Sequence, residues 1–461
     1  MKALVDKSGA LARGLTDIRQ QFRVPAAFPA PVLAAAEQAA RRTPTDHADR
    51  TGRPFVTLDP ASSTDLDQAL AIERAGADLL LHYAIADVAW FVSDGDPIDA
   101  EAWKRGTSQY LPDGKAALYP PILGEQAASL LPDGPRPAVI FTVRVDPEGA
   151  VRLDGVERAL IRSRAKLAYA HVRTGDLPPD FEELASRIRR AEDRRGAARV
   201  DPPEQEVTPL GNGHFELLFR PRLASEENNA ALSLATNLAV ADVLLAHRTG
   251  LFRVMPEPDA KAIRRLRQTA RAFGLVWPPM EPLSQYERTL DPADPKQAAF
   301  MLAIRRAGER ASYVPWREGE RPWHAAMAAT YAHATAPLRR LADRYVVRAA
   351  LAIANGRAVP DAVTDAFERL PGVMAGAAAL AGQIESAAID LAEAVMLHDR
   401  IGEIFPAIVT DIDDRGARMQ LRDLPVVARV AAPGTEPGKA LCVKLIEADP
   451  DRRRIAFDLT K

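Results

Sequence analysis

Apolar and polar residues alternate over short stretches in the first third of the chain. Residues 54–58 alternate around Phe55, Val56 and Thr57 and predict a strand. Residues 69–73 and 79–86 alternate again on either side of the turn Ala75-Gly76-Ala77-Asp78, predicting a meander. Residues 139–145 and 151–156 predict two more strands around Asp146-Pro147-Glu148-Gly149, and residues 215–219 a further one. Elsewhere the period is helical: residues 10–22, the Ala-rich 31–42 with Pro31 at its start, 98–106, the charged 182–199, 227–245, Pro-separated segments within 258–310, 337–348 and 375–403. From residue 404 the pattern changes. Residues 405–412, 417–421, 426–430, 440–447 and 454–459 are five short β-patterns with turns between, the count of a small OB-type barrel. The expected class is α+β: a helical segment over residues 1–50, a large mixed domain over 51–403 and a barrel over 404–461. The first segment reads either as a helix-turn-helix-like module with strand 53–59 as its wing, or as a clasp packed on the main domain.

Composition narrows this picture. The chain has 461 residues, 47% hydrophobic and 26% charged, enough for one large core and one or two small modules. A formal net charge of −2 and a pI of about 6.5 give no global attraction for nucleic acid, so any basic surface must be local. Cys442 is the only cysteine, which excludes an intrachain disulfide and a Cys-based zinc site. Residues 1–19 mix Lys, Asp and Arg and carry no signal pattern. The apolar run 370–384 contains Pro371 and is short for a membrane span. The expectation is a cytoplasmic monomer without membrane association.

Candidate chemistry concentrates in residues 56–70, where Asp59, Asp65 and Asp67 fall within nine residues. Pro60 and Ser62-Ser63-Thr64 stop the strand and make a loop. Asp65 and Asp67, two apart on an extended backbone, point the same way, with Leu66 turned into a core. Carboxylates that close raise one another's pKa unless a cation sits among them, and Mg²⁺ is a hard ion that takes a few carboxylates and leaves room for water and phosphate. Such a site suits metal-assisted phosphodiester hydrolysis; the plainer alternative is a polar turn with solvated acids. A second informative stretch is 331–348. Arg340, Arg344 and Arg348 share one helical face at four-residue spacing, a pattern that also fits a solvated surface. If Pro337 opens the helix, Arg339 lies in its first turn, where free N–H groups and a guanidinium make a phosphate site. Tyr110 stands between polar residues and a proline, either presented or in a core. His82 and Tyr83 read as satisfied sheet positions, and Asp87 as structural.

Thr57-Leu58-Asp59 followed by Asp65-Leu66-Asp67-Gln68-Ala69 resembles the signature of the RNase II/RNB family of 3′→5′ exoribonucleases. Ile85-Ala86-Asp87-Val88, Arg105-Gly106-Thr107-Ser108-Gln109-Tyr110-Leu111-Pro112, and Ala336-Pro337-Leu338-Arg339-Arg340 with Asp343 follow in family order. The resemblance runs from about residue 28 to the C-terminus. It implies an RNB-type catalytic domain, an S1-like RNA-binding barrel, and Mg²⁺-dependent hydrolysis of single-stranded RNA or RNA tails to nucleoside 5′-monophosphates. On this resemblance Asp59, Asp67 and Gln68 are the metal set and Asp65 supports them. Arg339 contacts the scissile phosphate, and Glu385 takes the place of a catalytic glutamate. Tyr110 clamps the terminal nucleotides, and Phe215 stacks on a base unless it is a core residue. Tyr169 and Glu227 meet ribose, whose 2′-hydroxyl distinguishes RNA from DNA. Arg340 joins the RNA contacts, and Arg415, Arg418, Lys439, Lys444 and Arg452, Arg453 and Arg454 are candidates to follow the backbone along the barrel.

Two features depart from the family pattern. Its members usually carry two cold-shock barrels at the N-terminus, and residues 1–50 are too short for one. The shortened segment implies a more open entrance and better tolerance of structured RNA. Gln68 stands where many relatives have a fourth aspartate; an amide oxygen can ligate a hard ion with one fewer negative charge, so weaker Mg²⁺ binding is expected. A site disabled by Gln68 would leave a silent RNA-binding relative. A DNA exonuclease or general phosphodiesterase on the same acids is a third reading, against which the ribose contacts stand.

Overall fold

The computed structural model describes residues 9–198, 204–211, 214–220, 222–291, 294–413 and 416–460. Helices α1 (Ala10–Gln21) and α2 (Ala30–Ala40) lead into strands β1 (Ala48–Asp49), β2 (Phe55–Asp59), β3 (Gln68–Ala75) and β4 (Asp78–Ala86). Helices α3 (Val88–Phe91) and α4 (Pro97–Arg105) and the hairpin β5 (Gln109–Leu111) and β6 (Gly114–Ala116) precede β7 (Arg136–Val145), β8 (Val151–Ile161) and β9 (Ser163–Ala168). Then come α5 (Phe181–Arg195), a second hairpin of β10 (Glu204–Gly211) and β11 (His214–Arg220), α6 (Ala224–Ala246), β12 (Leu251–Val254), α7 (Ala260–Ala272), α8 (Leu283–Tyr286), α9 (Pro295–Ala307) and β13 (Ser312–Pro315). Helices α10 (Leu341–Ala354) and α11 (Asp361–Leu397) join these to β14 (Ile404–Asp413), β15 (Gly416–Leu421), β16 (Val427–Val430), β17 (Ala440–Asp449) and β18 (Arg454–Leu459).

The main sheet has the order β1-β8-β7-β4-β3-β2-β9. Its inner pairs are antiparallel, and the edge pairs β1/β8 and β2/β9 are parallel. Strand β4 is buried on both faces over most of its length, because helices cover the middle of the sheet. Helix α6 fills much of that role: Leu232, Ala235, Val240 and Leu244 are fully buried. It and the stretch 361–400 are long and apolar enough to cross a membrane, but two thirds of the apolar window in α6 is buried in this core.

Helix α11 runs on through Pro371, past the expected start at residue 375. The missing N–H is tolerated because the helix is held along its length by three cores. Leu370 and Met374 belong to the main core, Ile384 and Leu391 to a small core with Leu11, Leu15 and Ile18 of α1, and Leu397 to the barrel. The N-terminal helices thus go to different places, α1 onto α11 and α2 through Val32, Ala36 and Ala39 into the main core.

The last five strands form the order β16-β15-β14-β17-β18, with β16 lying against β18 to close a barrel around Phe405, Val409, Met419, Val443, Leu445 and Phe457.

One local expectation fails. Pro337 does not open a helix: Arg339 and Arg340 donate their N–H groups to the Ala336 carbonyl in a tight turn, and α10 begins at Leu341. The arginine stripe is not a solvated face either. Arg344 is 1% exposed and paired with Asp99 of α4, and Arg348 is held by Asp94 just before that helix, so the stripe binds α10 to α4 and its approach.

Candidate active site

Strands β2 and β3 are antiparallel neighbours, so the end of one and the start of the other lie at the same end of the sheet. Asp59 ends β2, Asp67 immediately precedes β3, and the loop between them is pinned from inside. Leu66 is fully buried; its N–H donates to Ser129 Oγ at 2.9 Å, and that hydroxyl donates to the Thr64 carbonyl at 2.7 Å. Asp65 and Asp67 therefore turn to the opposite side, toward Asp59.

Burial pushes the Asp59 carboxyl up to about 7, with Arg339 pulling it down and Asp65 pushing it up. Burial likewise raises Asp67 to about 7, against Arg339 and the N–H of Leu338. Asp67 Oδ1 accepts from that N–H at 2.7 Å, and its Oδ2 lies 3.4 Å from Arg339 Nε. Asp65 is different: it is paired with Lys115 Nζ at 2.7 Å, and that ammonium also reaches Glu125 at 3.1 Å. Lys166, the third cation, donates to the Ala61 carbonyl at 2.9 Å and draws the Asp59 pKa downward.

The turn that carries Arg339 is clamped to the segment that leads to Tyr110. The Ser108 N–H donates to the Arg339 carbonyl at 3.0 Å, and the Leu341 N–H to the Gly106 carbonyl at 2.9 Å. Arg339 itself is 42% exposed. Tyr110 is 55% exposed, with its hydroxyl 3.4 Å from Asp65. Burial of the hydroxyl end and the neighbouring Asp65 carboxylate raise its pKa, so it stays protonated. On the other side, β9 pairs Ala168 with Asp59, and the next N–H, that of Tyr169, donates to the Asp59 carbonyl at 3.2 Å. The Tyr169 hydroxyl accepts from Asn229 Nδ2 at 2.8 Å, and Asn229 also holds the Leu58 carbonyl at 3.2 Å. With its acceptor side taken, that hydroxyl is left to donate.

Several sequence-derived candidates land elsewhere. Phe215 is 7% exposed in the small core with Leu11, Leu15 and Leu111, where the hairpin that carries it packs on α11; it does not present a ring for stacking. Arg340 is held by Asp343 through contacts of 3.0 and 2.8 Å and is committed to that pair rather than to a phosphate. Gln68 is engaged by protein groups: its oxygen meets the hydroxyls of Tyr83 and Ser233, the latter at 3.0 Å, and its Nε2 donates to the Thr335 carbonyl at 2.8 Å. Glu227 lies exposed in the first turn of α6; the acids that act on Tyr169 are Asp59 and, more weakly, Glu226, which caps that helix at the Leu223 N–H. Glu385 sits on an exposed position of α11; the main charged groups acting on Asp59 and Asp67 are Arg339, Asp65, Lys166 and Asp343. In the barrel, Arg453 turns to Gln21 and Arg454 to Glu447, whereas Lys439 and Lys444 are exposed; Arg415 lies outside the described residues. Lys115, Lys166, Ser129 and Asn229 are site residues that sequence reasoning missed. Each comes from a distant segment and carries no local pattern of its own.

Among the described residues no three His, Cys, Asp or Glu side chains converge as a ready metal cage. The donors still fit Mg²⁺, which is commonly held by one or two carboxylates with substrate phosphate and water completing its shell. Asp59 Oδ2 is buried without a hydrogen-bond partner, and both buried acids stay high despite Arg339, the condition of a site short of positive charge.

Comparison with known proteins matches the RNB domain to residues 47–355 and the RNase II-type exonuclease C-terminal S1 domain to residues 403–460. Ribonuclease R of Aquifex aeolicus is 26% identical over 495 residues, covering 96% of this chain and 69% of that protein. Ribonuclease R of Escherichia coli is 26% identical over 430 residues, covering 84% of this chain and 51% of that protein, so the chain spans about half the length of such relatives. The structure of Mycoplasma genitalium RNase R in complex with ribose-methylated single-stranded RNA shares the fold, with a TM-score of 0.87, 21% identity and coverage of 100% of this chain and 79% of that one.

Proposed function

This chain belongs to the RNB family, and from that premise we propose that it is a Mg²⁺-dependent 3′→5′ exoribonuclease. It acts as a monomer on single-stranded RNA or RNA tails and releases nucleoside 5′-monophosphates. The observation that carries the reading is the meeting of Asp59, Asp67 and Arg339 between two tyrosines, Tyr110 and Tyr169, at one end of the sheet.

In this mechanism Asp59 and Asp67 would hold Mg²⁺, which would supply charge neutralisation and a more acidic bound water. The other steps belong to the chain. Tyr110 packs against the terminal nucleotide and fixes the distance from the 3′ end to the scissile phosphate. Tyr169, its hydroxyl oriented by Asn229, donates to the terminal ribose, where a 2′-hydroxyl accepts. Arg339 turns its exposed guanidinium to the phosphate and stabilises the charge that grows there as the bond breaks. Lys115 pairs with Asp65 and offsets its charge, so a third carboxylate opposes the substrate less.

Gln68 favours one other reading, a silent RNA-binding relative, since its amide adds no charge to the site. Uniformly labelled RNA separates the two. Release of nucleoside 5′-monophosphates with Mg²⁺ and none with EDTA supports the nuclease. RNA retained without product supports the silent binder, and 3′-phosphorylated or internal fragments contradict both.

A further inference from the structure

The segment that delivers Arg339 has almost no regular structure of its own. Between β13 and α10 it is irregular apart from a single 3-10 turn and isolated bridges. Side chains from three places pin its backbone. Asn237 of α6 accepts the Ala334 N–H at 2.9 Å, and its Nδ2 lies 3.4 Å from Thr335 Oγ1. Gln68 donates to the Thr335 carbonyl at 2.8 Å. Asp343 of α10 accepts the Ala336 N–H at 2.8 Å, and Asp67 accepts that of Leu338 at 2.7 Å. Arg339 is the next residue.

Among these four pins, Gln68 alone donates from its side chain to a main-chain carbonyl. Its amide has a donor side and an acceptor side, and both are in use. Thr335 is 3% exposed, so its carbonyl depends on a protein donor. The amide oxygen takes hydroxyls from β4 and α6, Tyr83 and Ser233, and these lie 2.6 Å from each other. The two hydroxyls have two protons for these three contacts, so one bonds the pair to each other and the other is donated to the amide oxygen, which is engaged on its acceptor side. A carboxylate of the same length would keep the hydroxyl contacts but would set an oxygen against the Thr335 carbonyl with no proton between them.

We propose that Gln68 is a positioning residue that acts through Arg339, by holding the Thr335 carbonyl, and is not a metal ligand. The amide is what this cradle requires, so an acid at the position weakens the site instead of completing it. The proposal rests on the reading of Arg339 as a catalytic group of an exoribonuclease.

A double-mutant cycle on the full chain tests it, with Gln68→Glu, Arg339→Ala and the pair. Turnover is measured on single-stranded RNA, Mn²⁺ affinity by electron paramagnetic resonance, and melting temperature alongside. Gln68→Glu is expected to lower kcat about tenfold to a hundredfold, the scale of a small misplacement, with KM and Mn²⁺ affinity within about twofold. In the Arg339→Ala background it should cost nothing further, because it acts through a group already gone. Losses that add in the double variant overturn the proposal, as does tighter Mn²⁺ binding or faster turnover in Gln68→Glu. Asn237→Asp, which keeps the acceptor for Ala334 and loses the donor to Thr335, provides the same cycle should Gln68→Glu fail to fold; additive losses there overturn the cradle equally. If the wild-type chain turns over no RNA, the functional reading fails, and Mn²⁺ affinity still decides the position: unchanged in Gln68→Glu it supports the proposal, tightened it overturns it.

Discussion

The C-terminal barrel and the acid cluster are built in opposite ways. The barrel's five strands follow one another along the chain, and its core residues alternate with exposed ones strand by strand. The cluster takes Asp59, Asp65 and Asp67 from one loop, Tyr110 and Lys115 from a hairpin, Lys166 and Tyr169 from an edge strand, Asn229 from α6 and Arg339 from a turn before α10. In the barrel Lys439 and Lys444 face water, where their loss costs little structure. In the cluster two acids, Asp59 and Asp67, are buried and coupled to the charges around them, so each residue sets the state of the next.

The sharpest test of that contrast is Asp67→Asn, which keeps an acceptor for the Leu338 N–H but removes the charge beside Arg339. Turnover should fall by about 10⁴-fold, the scale seen when an essential group of a catalytic unit is lost, while RNA is still retained in a gel shift. A loss below about tenfold would mean the cluster is not a unit. Arg339→Ala comes next, at about 10²- to 10³-fold in kcat with KM nearly unchanged, as for a donor that meets charge only in the transition state. An equal rise in KM would instead make Arg339 a ground-state contact.

Proton linkage gives a smaller effect with a definite sign. Asp59 and Asp67 sit near 7, above the usual carboxylate value near 4. A carboxyl raised in the folded state holds its proton longer there than in the unfolded chain. Stability present at low pH is therefore lost as pH climbs from about 4 through about 7. In metal-free buffer the melting temperature should decline over that range more steeply for the wild type than for Asp67→Asn. Added Mg²⁺ should raise it more at pH of about 8 than at about 5.5, because the ion binds the deprotonated pair. Identical curves for the two proteins would remove the account of the buried acids. The smallest effect belongs to the barrel. Lys439→Ala with Lys444→Ala should leave kcat alone and flatten the salt dependence of RNA affinity by about 0.7 log units per log unit of salt for each phosphate that these lysines neutralise. An unchanged slope would place the RNA elsewhere on the barrel.

The same contrast explains what could be read from sequence. The barrel strands expected at 405–412, 417–421, 426–430, 440–447 and 454–459 lie within a residue or two of those observed, since alternation and turns are local signals. The meander over 69–86 was legible for the same reason. Strand β9 was not: Ser163 to Ala168 shows little alternation, and its strand character comes from pairing with β2, more than a hundred residues earlier. The loop of three aspartates was legible as a candidate because Pro60 and the serines mark it. The fate of Gln68 and Phe215 was not, because each is decided by partners from other segments, Thr335 and Ser233 for the one and the α1 core for the other; Arg340 is taken instead by Asp343, three residues on, once the helix starts at Leu341. The helix start at Leu341 escaped notice because a proline before an apolar run looks like a helix start itself, and the tertiary contacts of the Ala336 turn override it.

The most direct measurement is a time course on a 5′-labelled single-stranded RNA of about thirty nucleotides with Mg²⁺ or EDTA, beside a DNA of the same sequence, for the wild type and Asp67→Asn; that length exceeds the roughly 4–16 nucleotides that one single-strand-binding fold covers. The account predicts stepwise loss of RNA from its 3′ end to a short core with Mg²⁺ alone, DNA spared, and no loss with Asp67→Asn. Equal degradation of DNA, activity that persists in EDTA, or RNA that stays whole while it shifts in a gel would contradict it.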